Sequence, residues 1–447
     1  MEYIVNTPCG PVKGCPGRVD GTVAFKGIRY ATAGRCEYPQ QVTAWEGVYD
    51  ATEYGPCAYQ RRAFEDESTR FYHTEFRKGA SYTYSEDCLF LNIWIPEDAK
   101  EGDKLPVLLY IHGGSFTGGS GNEKHFDGPV WPKEKVIGVT INYRLGPWGF
   151  LTLPELQEEA GFTGNYGLFD QMTAIRWVKD NIASFGGDSE NITIMGQSAG
   201  AMSVQQHCLS PLTKGLFQKA IMSSGGGVSK MMSAGRPETN YPFWRSGMVN
   251  CGCKTLDEFR KVSNETLYNA WRKTTKEVKG GFQACSPCLD GRLVVDTGVN
   301  ILARNEQHRI PYMAGSTSED MMPPIIYAMS KNWCKEQLLP SYCWYFDRQL
   351  PGDKNGAWHS SDLWYWFGTL DNCWRPFEEK DRELSNLMVR YLCNFAKKGN
   401  PNGPGNPEWV ACGDRAMVMG EKKAHMAKPS TLKQVVTLLT KKGAGET

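Results

Sequence analysis

From residue 105 to 224 the chain alternates short apolar runs with apolar positions at helical spacing, and this is its most regular stretch. That rhythm predicts a parallel sheet with helices packed on its faces. Residues 107–111 and 136–143 read as buried strands, the first ending in His112-Gly113-Gly114 and the second near Arg144. Leu168, Met172, Ile175, Val178 and Ile182 share one face of a helix, which Gly186-Gly187-Asp188 should stop, and residues 191–195 read as the next strand. From 236 to 350 the pattern loosens into helical stretches mixed with aromatics, cysteines and prolines, with one strand at about 310–315. Insertions over a site are expected there. Residues 397–407, KKGNPNGPGNP, form a turn-rich surface segment, and no repeat of solenoid length is visible.

A length of 447 residues accommodates one large α/β unit, so a single catalytic domain over 1–447 with substrate-covering insertions within 236–350 is expected. Fifty Lys and Arg balance 49 Asp and Glu, giving a net charge of +1 and no broad field for nucleic acid or an anionic membrane. A small-molecule partner fits better, with the protein a monomer or small homo-oligomer. Residues 1–10 contain no basic stretch followed by an apolar core, and no run is long enough to span a bilayer, so a soluble, cytoplasmic protein is expected. The 15 cysteines are odd in number and scattered, which suits reduced thiols better than a disulfide framework. Cys251 and Cys253, with the Cys285–Cys288 CxxC, invite a zinc site, but the loops lack ligand histidines. Neither metal nor cofactor is expected.

Gly196-Gln197-Ser198-Ala199-Gly200 follows an apolar strand and precedes a helical pattern. A serine on such a turn accepts strained backbone angles, and small neighbours leave its hydroxyl exposed. Serine is a poor nucleophile without a base to take its proton. In strand-elbow hydrolases the order is nucleophile, acid, base. Of the seven histidines, His207 is too close to Ser198, and His308 precedes the candidate carboxylates. His359, in Gly356-Ala357-Trp358-His359-Ser360-Ser361-Asp362, is the best base, with His425 its main rival. Upstream, His112-Gly113-Gly114-Ser115-Phe116 suits an oxyanion loop, because amides in a small-residue loop can approach developing charge, and Ala199 can supply another. His112 itself reads as structural.

These runs resemble the type-B carboxylesterase family, which includes bacterial esterases, animal carboxylesterases and cholinesterases. Ser85-Glu86-Asp87-Cys88-Leu89-Phe90-Leu91-Asn92 is similar to one family signature and FGGDSENITIMGQSAG, residues 185–200, to its nucleophile signature. Asn142-Tyr143-Arg144-Leu145-Gly146 and residues 164–171, GNYGLFDQ, are also characteristic. The resemblance implies an α/β-hydrolase fold with a mostly parallel twisted sheet, helices on both faces and segments inserted over the active site. It implies a serine esterase acting on small to medium esters, aromatic ones included, with oxyanion amides at Gly114, Ser115 and Ala199 and His359 as base. The acid segment departs from the usual pattern and reads Thr317-Ser318-Glu319-Asp320-Met321. Aligning Gly315 with the family glycine makes Asp320, rather than Glu319, the acid. Glu86 and Arg144 are implied partners in a buried ion pair. Cys57 and Cys88 match positions that form a disulfide in secreted relatives, and free thiols are expected in a cytosolic protein. Trp244, Phe282, Met321, Trp344 and Trp358 are the candidate substrate contacts. An amidase or acyltransferase could use the same triad, and a non-catalytic adhesion protein would need none of it.

Overall fold

A computed structural model describes residues 2–435 apart from 228, 230–232, 431 and 433, so the outer ends of the expected 1–447 domain lie outside the described residues. The strands of the main sheet are β1 (Tyr3–Thr7), β2 (Gly10–Pro16), β3 (Thr22–Arg29), β4 (Phe90–Pro96), β5 (Leu105–Ile111), β6 (Ile137–Ile141), β7 (Gly187–Gln197), β8 (Lys219–Ser223), β9 (Tyr312–Thr317), β10 (Tyr342–Asp347), β11 (Ala416–Gly420) and β12 (His425–Ala427). They lie side by side as β1-β2-β3-β4-β6-β5-β7-β8-β9-β10-β11-β12. The run from β6 to β11 is parallel, and the flanking strands are antiparallel.

The continuous apolar runs are explained by burial on both faces. Along β5, Val107, Leu109 and Ile111 join one core with Leu168, Ile175, Val178 and Ile194. Leu108 and Tyr110, pointing the other way, join a second with Met195, Ile221, Trp344, Leu392 and Phe395. Helix α1 (Tyr166–Asn181) covers the first face, and Ile182 begins a tight turn that Gly186 closes at a left-handed φ of 84°. Gly187 already belongs to β7, so the strand starts four residues before the expected 191.

Within 236–350 a helical segment spans 241–277. Helices α3 (Tyr241–Asn250), α4 (Leu256–Lys261) and α5 (Asn264–Glu277) bury Phe243, Trp244, Met248, Phe259 and Trp271 in their own cluster, together with Trp148 and Tyr166. Thr255 and Glu258 start α4 with a reciprocal capping box. Residues 312–317 return to the sheet as β9, at the strand expected near 310–315, and residues 342–347 add β10. The tyrosine, tryptophan and phenylalanine of β10 favour a strand, which their aromatic spacing concealed. Helix α6 (Pro323–Lys335) packs beside β9 and β10, and α7 (Glu379–Lys398) packs against β5 and β7. Among the described residues no helix is long and apolar enough to cross a membrane.

Candidate active site

Register brings the site together. Ile111 at the end of β5 pairs with Gly196, Gln197 with Ser223, and Ser223 with Gly315, so four strands finish on one edge. Open parallel sheets bind ligands at such carboxyl ends. Ser198 leaves β7 with φ 56° and ψ −127°, a conformation that costs a non-glycine residue of order 1–3 kcal/mol and presents its side chain at the turn. Its amide donates to Ser223 O at 2.8 Å, which holds the turn closed. The turn also needs bare neighbours: a methyl on Gly113 would come within 2.6 Å of the Gln197 carbonyl oxygen, and one on Gly200 would strike the Ile111 carbonyl. Helix α2 (Ala199–Leu209) starts immediately after Ser198, so the Ala199 amide has no carbonyl one turn back to bond.

The 113–116 loop carries Gly114, Ser115 and Phe116 at φ values of 112°, 55° and 59°. The Gly114 carbonyl accepts from Thr117 N at 3.0 Å and Gly118 N at 2.9 Å, which turns the preceding backbone outward. Gln60 clamps the loop from below, accepting from Gly119 N at 3.0 Å and donating to Gly119 O at 2.9 Å. His112 is buried, stacked on Tyr143 at 4.4 Å, and its pKa is pushed down to about 4 by burial. It belongs to the support of the loop, as read from sequence.

His359 Nδ1 lies 2.6 Å from Asp320 Oδ1. The Met321 amide donates to the same oxygen at 2.8 Å, and Thr317 Oγ1 lies 3.3 Å from Oδ2. Burial opposes the charge on Asp320, but His359, the Ser224 hydroxyl and the Met321 amide outweigh it and hold this carboxyl below its ordinary pKa. Glu319 turns the other way: its amide donates to Ala357 O at 3.0 Å, and its carboxylate lies against Gly356. On the far side of the imidazole, Gln197 Nε2 is 3.2 Å from His359 Nε2. The rival bases are elsewhere. His207 is buried against Gln171 with its pKa pushed down to about 3 by burial, His308 bonds Ser210 O at 2.9 Å, and His425 is exposed on β12.

Beneath this pair lies a carboxylate that sequence reasoning quoted but gave no role. Asp362 is buried, accepts from Ser223 Oγ at 2.9 Å and Trp366 Nε1 at 3.1 Å, and its Oδ1 has no partner among the described residues. Burial pushes its pKa up to about 6 against those hydrogen bonds and the pull of His359. Its position three residues after His359 was the available signal. Tyr72, donating to His359 O at 3.2 Å, lies nearly three hundred residues away in sequence and carried none.

Two expectations are corrected. Arg144 does not pair with Glu86. Its guanidinium binds Asp170 twice, at 2.7 and 2.9 Å, while its own amide donates to Asp170 Oδ2 at 3.0 Å, fixing the partner locally. Glu86 instead pairs with Arg35 at 2.5 and 3.1 Å, and Arg35 also holds Val262 O at the junction of α4 and α5. The aromatic contacts also move. Trp244 sits inside the helical cluster, and Trp344 packs on Trp366 at 5.2 Å within the sheet core, so neither faces a substrate. Trp358, beside His359, is buried beneath Phe71 and Tyr72. Phe282 and Met321 remain at the surface, 53% and 60% exposed. Cys57 and Cys88 are buried thiols, with Cys57 Sγ 3.1 Å from Ser120 Oγ. Cys253 and Cys285 are likewise thiols in the helical cluster, and Cys288 bonds Thr163 O at 3.8 Å.

The model of the Carboxylesterase family matches residues 1–339 and 324–436. The chain is similar to the para-nitrobenzyl esterase of Bacillus subtilis (strain 168), 31% identical over 464 residues that cover 90% of this chain and 91% of that protein. It is 30% identical to the bile salt-activated lipase of Rattus norvegicus over 87% of this chain and 75% of the relative. A solved PNB esterase superposes with a TM-score of 0.84 at 27% identity, over 98% of this chain and 99% of that one.

Proposed function

Because the chain belongs to the carboxylesterase family and has the α/β-hydrolase fold, we propose that its ester hydrolysis runs through a Ser198 acyl-enzyme, with His359 as base and Asp320 as the acid that orients it. The observation that carries this reading is the 2.6 Å contact between His359 Nδ1 and Asp320 Oδ1, with the ring's other nitrogen 3.2 Å from the side chain of Gln197, the residue before Ser198. A ring held through Nδ1–H keeps its lone pair on Nε2, the nitrogen that can accept a proton. As Ser198 Oγ bonds to the ester carbonyl carbon, its proton passes to Nε2 and the carbonyl oxygen becomes an oxyanion. The amides of Gly114, Ser115 and Ala199 receive that charge, each donor being worth a few kcal/mol in the transition state. Collapse expels the alcohol, which takes the proton from His359. Water then repeats the sequence on the acyl-enzyme and releases the acid.

The substrate reading is an apolar ester of small to medium size. Beside the clamped loop, Tyr59, Phe64 and Trp148 form a stack with centroids 5.4 to 6.4 Å apart, and Tyr59 and Phe64 are only half-buried. Stacked rings at a site's rim favour an aryl or short acyl group. We read the protein as cytoplasmic, a monomer or small homo-oligomer. Fifteen thiols, most of them buried, support a reducing compartment.

Ser198→Ala should remain folded and lose nearly all hydrolysis of an aryl acetate, and an organophosphate should label Ser198 in the wild type. Full inhibition with the label elsewhere overturns the nucleophile. A kcat/KM higher for emulsified long-chain triglyceride than for aryl acetates overturns the substrate class.

A further inference from the structure

Away from the active site, three cysteines from three separate elements meet at the β10 end of the sheet. Cys334 lies in the last turn of α6, Cys343 is the second residue of β10, and Cys412 stands in the segment leading to β11. Three contacts join them. The Cys412 amide donates to Ser341 O at 2.6 Å, and its sulfur lies 3.7 Å from Lys331 O, one turn before Cys334. Cys334 Sγ in turn lies 3.4 Å from Tyr342 O, the residue before Cys343. Each of the two buried thiols also feels the Cys412 sulfur as a near neighbour.

The three are not equivalent. Cys334 and Cys343 are 4% and 1% exposed, whereas Cys412 is only part-buried, between the exposed Ala411 and Gly413. Lys331 and Lys335 flank it, and Lys335 Nζ reaches Asp414, two residues on, at 2.8 Å. Donation from Cys334 and Cys343, with Lys335 and Lys331 nearby, holds the Cys412 thiol below its ordinary pKa. Burial pushes Cys334 up, and the bond to Cys412 followed by burial pushes Cys343 up. In other part-buried thiols burial outweighs nearby cations and raises the pKa, of Cys15, of Cys251 to about 12 and of Cys373 to about 11. One reachable thiolate backed by two protonated thiols is the arrangement that oxidation chemistry uses.

We propose that Cys412, Cys334 and Cys343 form a redox-modification site, in which a peroxide oxidises Cys412 and one of the two buried thiols then closes a disulfide onto it. In the first step the Cys412 sulfur attacks one peroxide oxygen. The S–O bond forms, the O–O bond breaks, and the departing hydroxide takes a proton from solvent to become water. The sulfur gives up two electrons and the peroxide accepts them. In the second step the sulfur of Cys343 or Cys334 attacks the Cys412 sulfenic acid. An S–S bond replaces the S–O bond, and the hydroxyl leaves as water with the attacking thiol's proton.

The test uses the full chain, reduced, freed of reductant and given about a tenfold molar excess of hydrogen peroxide. One arm contains dimedone and the other is quenched with N-ethylmaleimide, and both are mapped by peptide mass spectrometry. Cys412 should be the first of the fifteen cysteines labelled by dimedone. Without the trap, its peptide should appear joined to that of Cys334 or Cys343, about 2 Da below the summed masses. Cys412→Ser should lose the label and the link, and one of Cys334→Ser and Cys343→Ser should lose the link while keeping the label. Circular dichroism checks that each variant is folded. First labelling at Cys15, Cys251 or Cys373, or a Cys412 that advances to sulfinic acid with both partners still reduced, overturns the proposal.

Discussion

Gln197 and His359 meet side chain to side chain, with Nε2 of the amide 3.2 Å from Nε2 of the ring. The residue just before Ser198 therefore occupies the nitrogen that, in the proposed mechanism, takes the serine's proton. A neutral amide donor there competes only weakly and adds no charge. A glutamate would set a negative charge against the same nitrogen and favour the protonated ring, which cannot act as base. Gln197→Glu should thus move the acidic limb of the kcat/KM profile to higher pH by about one unit, with activity near pH 9 largely kept. Rates measured from pH 5 to 10 test this, and superimposable limbs would place the amide away from the base.

Asp320, facing His359, and Glu319, lying against Gly356, are adjacent carboxylates with opposite surroundings. Asp320→Asn would set a neutral amide against Nδ1, one that can hold the wrong tautomer and cannot balance the imidazolium's charge, so kcat should drop by about 10⁴-fold with the fold intact. Glu319→Gln should cost less than about tenfold. A reversed ranking in two folded variants would transfer the role to Glu319.

Arg144 is buried with Asp170, whereas the Glu86–Arg35 pair is partly open to solvent. Removing one member of a buried pair strands the other charge, so Asp170→Asn should lower unfolding free energy by roughly 3–5 kcal/mol. Glu86→Gln should cost about 1 kcal/mol, because solvent screens that pair and Arg35 retains its carbonyl acceptors. Urea denaturation of both variants separates them. Equal losses would contradict the assigned partners.

Asp362 is a buried carboxyl whose pKa is raised to about 6 from 3.8. Between those values the folded chain holds the proton that the unfolded chain has released, so stability falls as pH rises through this window, by roughly 3 kcal/mol in all. Asp362→Asn cannot ionise and should not show this fall. Its melting temperature should match the wild type near pH 4 and exceed it near pH 7. Activity should move oppositely, by about tenfold at neutral pH, because the ionised Asp362 attracts the imidazolium formed during attack. Calorimetry across pH 4–8 with parallel rates checks both signs.

What could be read in the sequence followed from local rules. The parallel strands, the helix carrying Leu168 to Val178, the elbow at Ser198 and the loop at Gly114 each rest on residues close together in the chain. Chain order set aside His207 and His308, and the family resemblance chose His359 over His425. Partnerships across the fold were harder. Arg144 has several carboxylates within reach of its signature runs, and only the backbone hydrogen bond to Asp170 selects one. Tryptophans 244 and 344 looked like pocket residues because aromatic content does not record which face of an element is buried. The contacts of Gln197 and Tyr72 with His359 depend on loop geometry with no periodic trace.

The helices of the 241–277 insertion keep a cluster of their own, and the strand ends that carry Ser198 and Asp320 are fixed by the sheet. Side chains on the outer faces of that insertion can change without disturbing the alignment of the reacting groups. Selection can therefore act on the two parts on different schedules. A lineage with this architecture can rewrite those outer faces while the strand ends stay the same, and engineering meant to leave the sheet edge untouched would begin there.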